Sequence, residues 1–150
     1  MSDELIIRQA TPEDAEKLSQ FYQLIKDYPN IEAPDKNVPL ADLELSLARI
    51  YDSLFDNLVV AINDDQIIGF CSVDHGELGI VVDKEFWRFG VGSELMIDTI
   101  DWFQRLSSLE ALWLEVVSIN KAAIKLYEKF DFEVIEQNEK TIKMELKKDD

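Results

Sequence analysis

The spacing of apolar residues divides this chain into strand-like and helix-like stretches. Leu5-Ile6-Ile7-Arg8-Gln9 predicts a first strand. Thr11-Pro12-Glu13-Asp14 then has the composition of a helix start, with a threonine cap, proline at the first helical position and acids near the positive end. Ala15, Leu18, Phe21, Tyr22 and Ile25 keep a helical period as far as Tyr28-Pro29. A second helix is predicted over Leu40 to Leu54, with Leu43, Leu47, Ile50 and Leu54 on one stripe. Asn57 to Ile62 and Gln66 to Val73 are strand-like and flank Asn63-Asp64-Asp65, a hairpin turn by composition.

Glu77 to Val82 adds a further strand, in which Gly79 is expected to mark a bulge. From Gly90 onward, Val91, Leu95, Met96, Ile100, Phe103 and Leu106 describe a helix with one wide apolar face. Glu110 to Val117 is apolar on both faces and is therefore expected at the centre of the sheet. Asn120 to Phe130 is helical, and Phe132 to Glu136 with Thr141 to Leu146 closes a last hairpin. The order β-α-α-β-β-β-α-β-α-β-β is mixed α/β. With 150 residues, 47% of them hydrophobic, and no repeat or low-complexity linker, it predicts a single domain over residues 1–150.

Charge narrows the partners. Thirty-one acids against 15 bases give a net charge of −16, a field that repels nucleic-acid backbones and anionic membranes. No stretch is long and apolar enough to span a bilayer, and Met1-Ser2-Asp3-Glu4 lacks a basic signal-peptide head, so a cytoplasmic location is expected. Cys71 lies in the apolar run Ile67-Ile68-Gly69-Phe70-Cys71, which argues for a buried inert thiol rather than a nucleophile. His75, the only histidine, has no nearby sequence partners with which to assemble a zinc site or a serine triad, and no metal is expected.

The chemistry concentrates between Glu77 and Phe132. Phe86-Trp87-Arg88-Phe89-Gly90-Val91-Gly92-Ser93 is a glycine turn between a strand and a long helix. Gly90 and Gly92 let backbone approach a ligand, and the helix start offers unpaired N–H groups and a positive dipole end, which together suit a phosphate. Leu95 stands where a dinucleotide fingerprint needs its third glycine, and the Gly-Lys-Ser/Thr of a nucleotide-hydrolase loop is absent. The turn comes closer to a pattern of Gln or Arg, two variable residues, Gly, one variable residue, then Gly or Ala, in which Gly90 and Gly92 match and Trp87 occupies the first position without matching it. Downstream, Asn120, Ala123 and Tyr127 open Asn120-Lys121-Ala122-Ala123-Ile124-Lys125-Leu126-Tyr127-Glu128-Lys129-Phe130-Asp131-Phe132.

These two motifs resemble the acetyl-coenzyme A site of the GNAT superfamily of N-acetyltransferases, and the element order resembles that fold along nearly the whole chain. The resemblance implies a central, mostly antiparallel twisted sheet flanked by about four helices, with substrate selectivity between Tyr28 and Leu54. It implies acetyl-coenzyme A as co-substrate, held by Val81, Val82, Arg88, Phe89, Gly90, Val91, Gly92, Ser93, Asn120, Ala123 and Tyr127. Lys84, Lys121 and Lys125 lie within or beside the motifs as further positive charge. Trp87 departs from the pattern, as does Asp131 where glycine is usual, although Asp tolerates a left-handed turn.

In this reading the acetyl group passes by direct attack to a primary amine, Tyr127 protonates the leaving thiolate, and backbone N–H near Val81 or Val82 steadies the carbonyl oxygen. Glu115 is the expected base. It is the one charged residue in Leu112-Trp113-Leu114-Glu115-Val116-Val117, where burial would raise its pKa, and its spacing to Tyr127 resembles that of N-terminal amine acetyltransferases. Glu77 is the rival. The acceptor is a small-molecule amine or a peptide N-terminus, of cationic character given the acidic surface; a homodimer is compatible with the reading. The alternative is a non-catalytic acyl-coenzyme A-binding regulatory module, motivated by Trp87 and Asp131.

Overall fold

The computed structural model describes residues 4–29 and 38–149. Part of the stretch expected to carry selectivity, residues 30–37, therefore lies outside the described residues. The elements run β1 (Ile6–Gln9), α1 (Ala15–Ile25), α2 (Leu40–Tyr51), β2 (Asp56–Asn63), β3 (Gln66–Asp74), β4 (Glu77–Val82), α3 (Val91–Arg105), β5 (Ala111–Val117), α4 (Lys121–Lys129), β6 (Glu133–Gln137) and β7 (Thr141–Lys147). Short 3-10 turns at Pro12–Asp14 and Lys84–Phe86 lead into α1 and toward α3. At the first, the Asp14 carboxylate accepts the Thr11 N–H at 2.8 Å and two bonds from Arg8 at 2.8 Å each, which anchors the start of α1 to β1.

All seven strands form one sheet in the order β1-β2-β3-β4-β5-β7-β6. Every neighbouring pair is antiparallel except β4 and β5. The β2–β3 hairpin turns on Asp64 and Asp65, both at positive φ (50° and 63°), as its composition predicted. Two cores sandwich the sheet. Leu18, Phe21 and Ile25 of α1 and Leu47 of α2 pack on Leu58, Val60, Phe70 and Val81. On the opposite face Leu95, Met96, Trp102 and Phe103 of α3 and Tyr127 of α4 pack on Cys71, Leu78, Leu112, Leu114, Val116 and Met144.

Four sequence expectations need correction. Leu54 lies beyond α2 and is 51% exposed, because the helix stops at Tyr51. Leu106 caps α3 in the open, and Thr99 and Trp102 complete the buried face instead. Gly79 pairs in regular register with Ser72, so β4 carries no bulge there. β5 buries only one face: Leu112, Leu114 and Val116 point into the α3 core, while Glu115 is exposed.

The parallel step from β4 to β5, spanned by α3, is the feature that creates a site. The two strands pair at a single register position, Glu77 opposite Trp113, with the Trp113 N–H donating to the Gly76 carbonyl at 2.8 Å. Beyond that point they diverge, β4 staying with β3 and β5 with β7. A split opens between Gly79–Val82 and Glu115–Val117.

Candidate acyl-transfer site

Strand parity shows which backbone groups face the split. In an antiparallel ladder, bonded and non-bonded residue pairs alternate. The Asp83 N–H donates to Ile68 of β3 at 2.8 Å, which makes that pair bonded. Val82 and Ile80 then turn their N–H and C=O groups away from β3, toward the split, whereas Val81 spends its own on Phe70. Of the two positions expected to steady the carbonyl, Val82 therefore faces the split together with Ile80, and Val81 faces β3. On β5, bonds from Ser118 to Lys140 and from Lys148 to Glu110 fix the parity likewise. Glu115 and Val117 direct their backbone toward the split, and the Val117 carbonyl there accepts the Asn120 N–H at 3.0 Å.

The split runs toward the glycine turn. Gly90 caps α3 in the left-handed conformation, φ 79° and ψ 8°, and Arg88 also has positive φ (75°). The first bond of the helix is Glu94 N–H to Gly90 C=O at 3.1 Å. Among the described residues, the N–H groups from Arg88 through Ser93 donate to no protein acceptor. These donors sit at the positive end of a helix of 15 residues, an arrangement suited to a di-anion. A Cβ on Gly90 would meet nothing within 4 Å, so this side of the turn is open. Gly92 faces inward instead, toward Leu126 and Ile80.

Two side chains gain roles here that the sequence did not disclose. The Trp87 indole N–H donates to the Val82 carbonyl at 2.8 Å, tying the turn back to the end of β4. The departure at position 87 therefore supplies a tether where the pattern has a polar side chain. Lys129, in the last turn of α4, reaches the Ser93 hydroxyl at 2.8 Å and brings a cation to the cradle. Its only signal was a lysine two residues past Tyr127, and the fold, not the spacing, brings α4 beside α3. Lys84 is engaged elsewhere, over the Tyr28 ring at 4.6 Å.

The Tyr127 position is set by how α4 ends. Asn120 caps the start, its side-chain oxygen accepting the Ala123 N–H at 3.2 Å. At the other end Asp131 adopts φ 71°, with Phe132 N–H to Tyr127 C=O at 3.1 Å and Asp131 N–H to Glu128 C=O at 3.0 Å. That is a Schellman stop with aspartate in the left-handed place, and it lays the Phe132 ring against Tyr127 at 5.9 Å. Asp131 thus performs the glycine's task. Tyr127 is 7% exposed, and burial, with Cys71 nearby, pushes its phenol above the ordinary tyrosine value. It stays protonated and can donate. Cys71 is fully buried and its thiol is pushed up to about 12 by burial, an inert core residue as expected.

Both acids lie on the face of the sheet opposite α3. Glu115 is exposed and stands across from Lys143; Glu77 is exposed at the closed end of the split. The burial invoked for Glu115 is absent, so a base there would work through water at an accessible surface.

The acetyltransferase (GNAT) family matches residues 18–132. The chain is similar to the L-amino acid N-acetyltransferase of Escherichia coli (strain K12), 27% identical over 140 residues, spanning 87% of this chain and 84% of that one. A GNAT-family acetyltransferase from Streptococcus pneumoniae superposes with a TM-score of 0.86 at 26% identity, covering 96% of this chain and 99% of its own. The yncA protein of Salmonella typhimurium, solved with its cofactor acetyl-CoA, shares the fold (TM-score 0.74, 20% identity, 97% and 94% covered). The chain belongs to the acetyltransferase (GNAT) family and is an acyltransferase. Among the described residues no helix is long and apolar enough to cross a membrane.

Proposed function

We propose that this acyltransferase carries the acetyl group of acetyl-CoA directly to a primary amine, with no covalent enzyme intermediate. The observation that carries the reading is the split between β4 and β5. It is lined by the unpaired backbone groups of Ile80 and Glu115 and by the Val82 N–H, and leads to the free N–H groups of Arg88 to Ser93. Acetyl-CoA, the co-substrate, lays its pantetheine along the split and its pyrophosphate on the α3 N-terminus, with Arg88 and Lys129 offsetting the acidic field locally.

Each group then has a task. A lysine-like amine, pKa about 10.4, must shed a proton before it attacks. The proton leaves through water to Glu115, with Glu77 as the rival acceptor. As the C–N bond forms, the Val82 N–H steadies the carbonyl oxygen; as the C–S bond breaks, Tyr127 offers its phenolic hydrogen to the sulfur. Because burial holds that phenol above a thiol's ordinary value of about 8.5, its contribution is a hydrogen bond to the developing thiolate, with the full proton supplied finally by solvent. Holding both reactants in the split supplies much of the acceleration.

The binding-module reading loses its motives, since Trp87 and Asp131 both have structural partners that preserve the site. The test pairs calorimetric binding of acetyl-CoA with thiol release across a panel of primary amines. Tight binding with thiol release for at least one amine is expected; binding without release from any amine would refute the proposal.

A further inference from the structure

The face of the sheet opposite α3 carries, beside the split, one aromatic ring among charges. Trp113 and Glu115 of β5, Glu77 of β4, and Lys143 and Glu145 of β7 share it, because the residues alternating with them pack into the α3 core. In register, Trp113 stands between Glu77 and Glu145, and Glu115 stands opposite Lys143. Lys143 nevertheless pairs with none of these acids. Its ammonium sits 4.7 Å from the centroid of the Trp113 ring, so on this surface a cation rests against the indole rather than against a carboxylate.

Position gives that preference a consequence. Trp113 marks the last paired point of β4 and β5, and Glu115 lies two residues farther along, about 7 Å of strand. Gly79 leaves this face of β4 bare beside Glu115, so nothing on β4 separates the ring from the split. An amine reacting beside Glu115 would carry any second cation toward the ring, into a field of three carboxylates against one lysine. Resting on the proposed function, we infer that Trp113, with Glu77, Glu115 and Glu145 around it, is the acceptor subsite for a second cationic group, and that Lys143 occupies the ring when no acceptor is bound. The favoured acceptors are then dications: diamines, or amines attached to a basic side chain.

The experiment measures thiol release at saturating acetyl-CoA for two matched pairs, putrescine against n-butylamine and lysine amide against norleucine amide. The readout is the ratio of kcat/KM for dication over monocation, and the pair showing the larger ratio identifies a free diamine or an amino-acyl amine as the source. Because each dication offers two amines against one, the ratio is expected to exceed two for the native protein. It should fall about 3- to 30-fold in Trp113→Leu and rise in Lys143→Ala, which vacates the ring. A poorly folded variant lowers both members of a pair and leaves the ratio intact. Turnover of monoamines with a native ratio at or below two, or a ratio unmoved by both substitutions, overturns the subsite alone. No thiol release from any amine overturns the proposed function, and the subsite with it.

Discussion

Gly90 and Gly92 are two residues apart in one motif, yet a side chain on each should act in opposite directions. Gly90 has φ 79°, where a Cβ is strained whatever the space, and its Cβ would meet nothing within 4 Å. Gly90→Val forces a choice. Holding the left-handed turn costs about 1–2 kcal/mol; relaxing it swings the N–H groups of Phe89 to Val91 off their common target. Either way at least one charge-assisted bond to the pyrophosphate is lost, each worth about 1.5–3 kcal/mol. The dissociation constant for acetyl-CoA should rise at least about tenfold, with a melting temperature lower by about 2–8 °C. Gly92→Ala instead places a methyl 3.4 Å from Leu126 Cδ2 and 3.9 Å from Ile80 Cδ1, ordinary contact, at a helical position. It should stabilise the fold by about 0.4–1 kcal/mol and leave binding unchanged. Calorimetry with acetyl-CoA, and with an acetylated pantetheine lacking the pyrophosphate, is the assay. Unchanged acetyl-CoA affinity in Gly90→Val, or a loss in Gly90→Val equal for both ligands, would refute the cradle.

Tyr127→Phe, which removes a hydrogen bond to the developing thiolate, should lower turnover by about a hundred- to a thousandfold with little change in melting temperature, since the phenol bonds to no protein group among the described residues while the ring packs on Phe132; a large stability loss at unchanged turnover would return Tyr127 to the core. Glu115→Gln should depress turnover most at low pH, where the amine is almost wholly protonated, and the defect should shrink as pH rises; if Glu77→Gln shows that signature instead, the two acids exchange roles, and if neither does, water alone takes the proton. His75 supplies a stability test. Its hydrogen bond to Asp74, then the Asp56 charge, raises its pKa, so its contribution is fully present below the ordinary value of about 6.5 and is lost as pH rises through the higher folded value. Melting temperature should fall across that window, and His75→Asn, which accepts the positive φ of 49°, should flatten the fall; an equal slope in both proteins removes His75 from the account.

The strand boundaries were legible because β-branched runs end at turn residues: β4 begins at Glu77 and ends at Val82, as its composition indicates. Asp131 was legible too, since few residues other than glycine tolerate a left-handed helix stop. The exposure of Glu115 was not. Alternation along β5 shows that 115 and 116 face opposite ways, but only the packing of α3 decides which face is covered. Val81 and Val82 look interchangeable in sequence, and the pairing with β3 alone separates them. Trp87 on Val82 and Lys129 on Ser93 join segments that no local pattern relates.

The single residue pair joining β4 to β5 also bears on how the protein unfolds. The sheet amounts to two half-sheets, β1 to β4 and β5-β7-β6, coupled by Glu77–Trp113 and the helix crossing between them. A pantetheine arm bonded to Ile80 and Val82 on one side and Glu115 on the other would act as an extra strand, completing a ladder the polypeptide leaves open. Cooperativity then belongs partly to the small molecule. At a hundredfold excess over its dissociation constant the co-substrate adds about 2.7 kcal/mol, and hydrogen exchange should slow together in both halves. On the proposed function, each release of product would return the chain to its weaker, two-part sheet and leave the enzyme most open to local unfolding between turnovers.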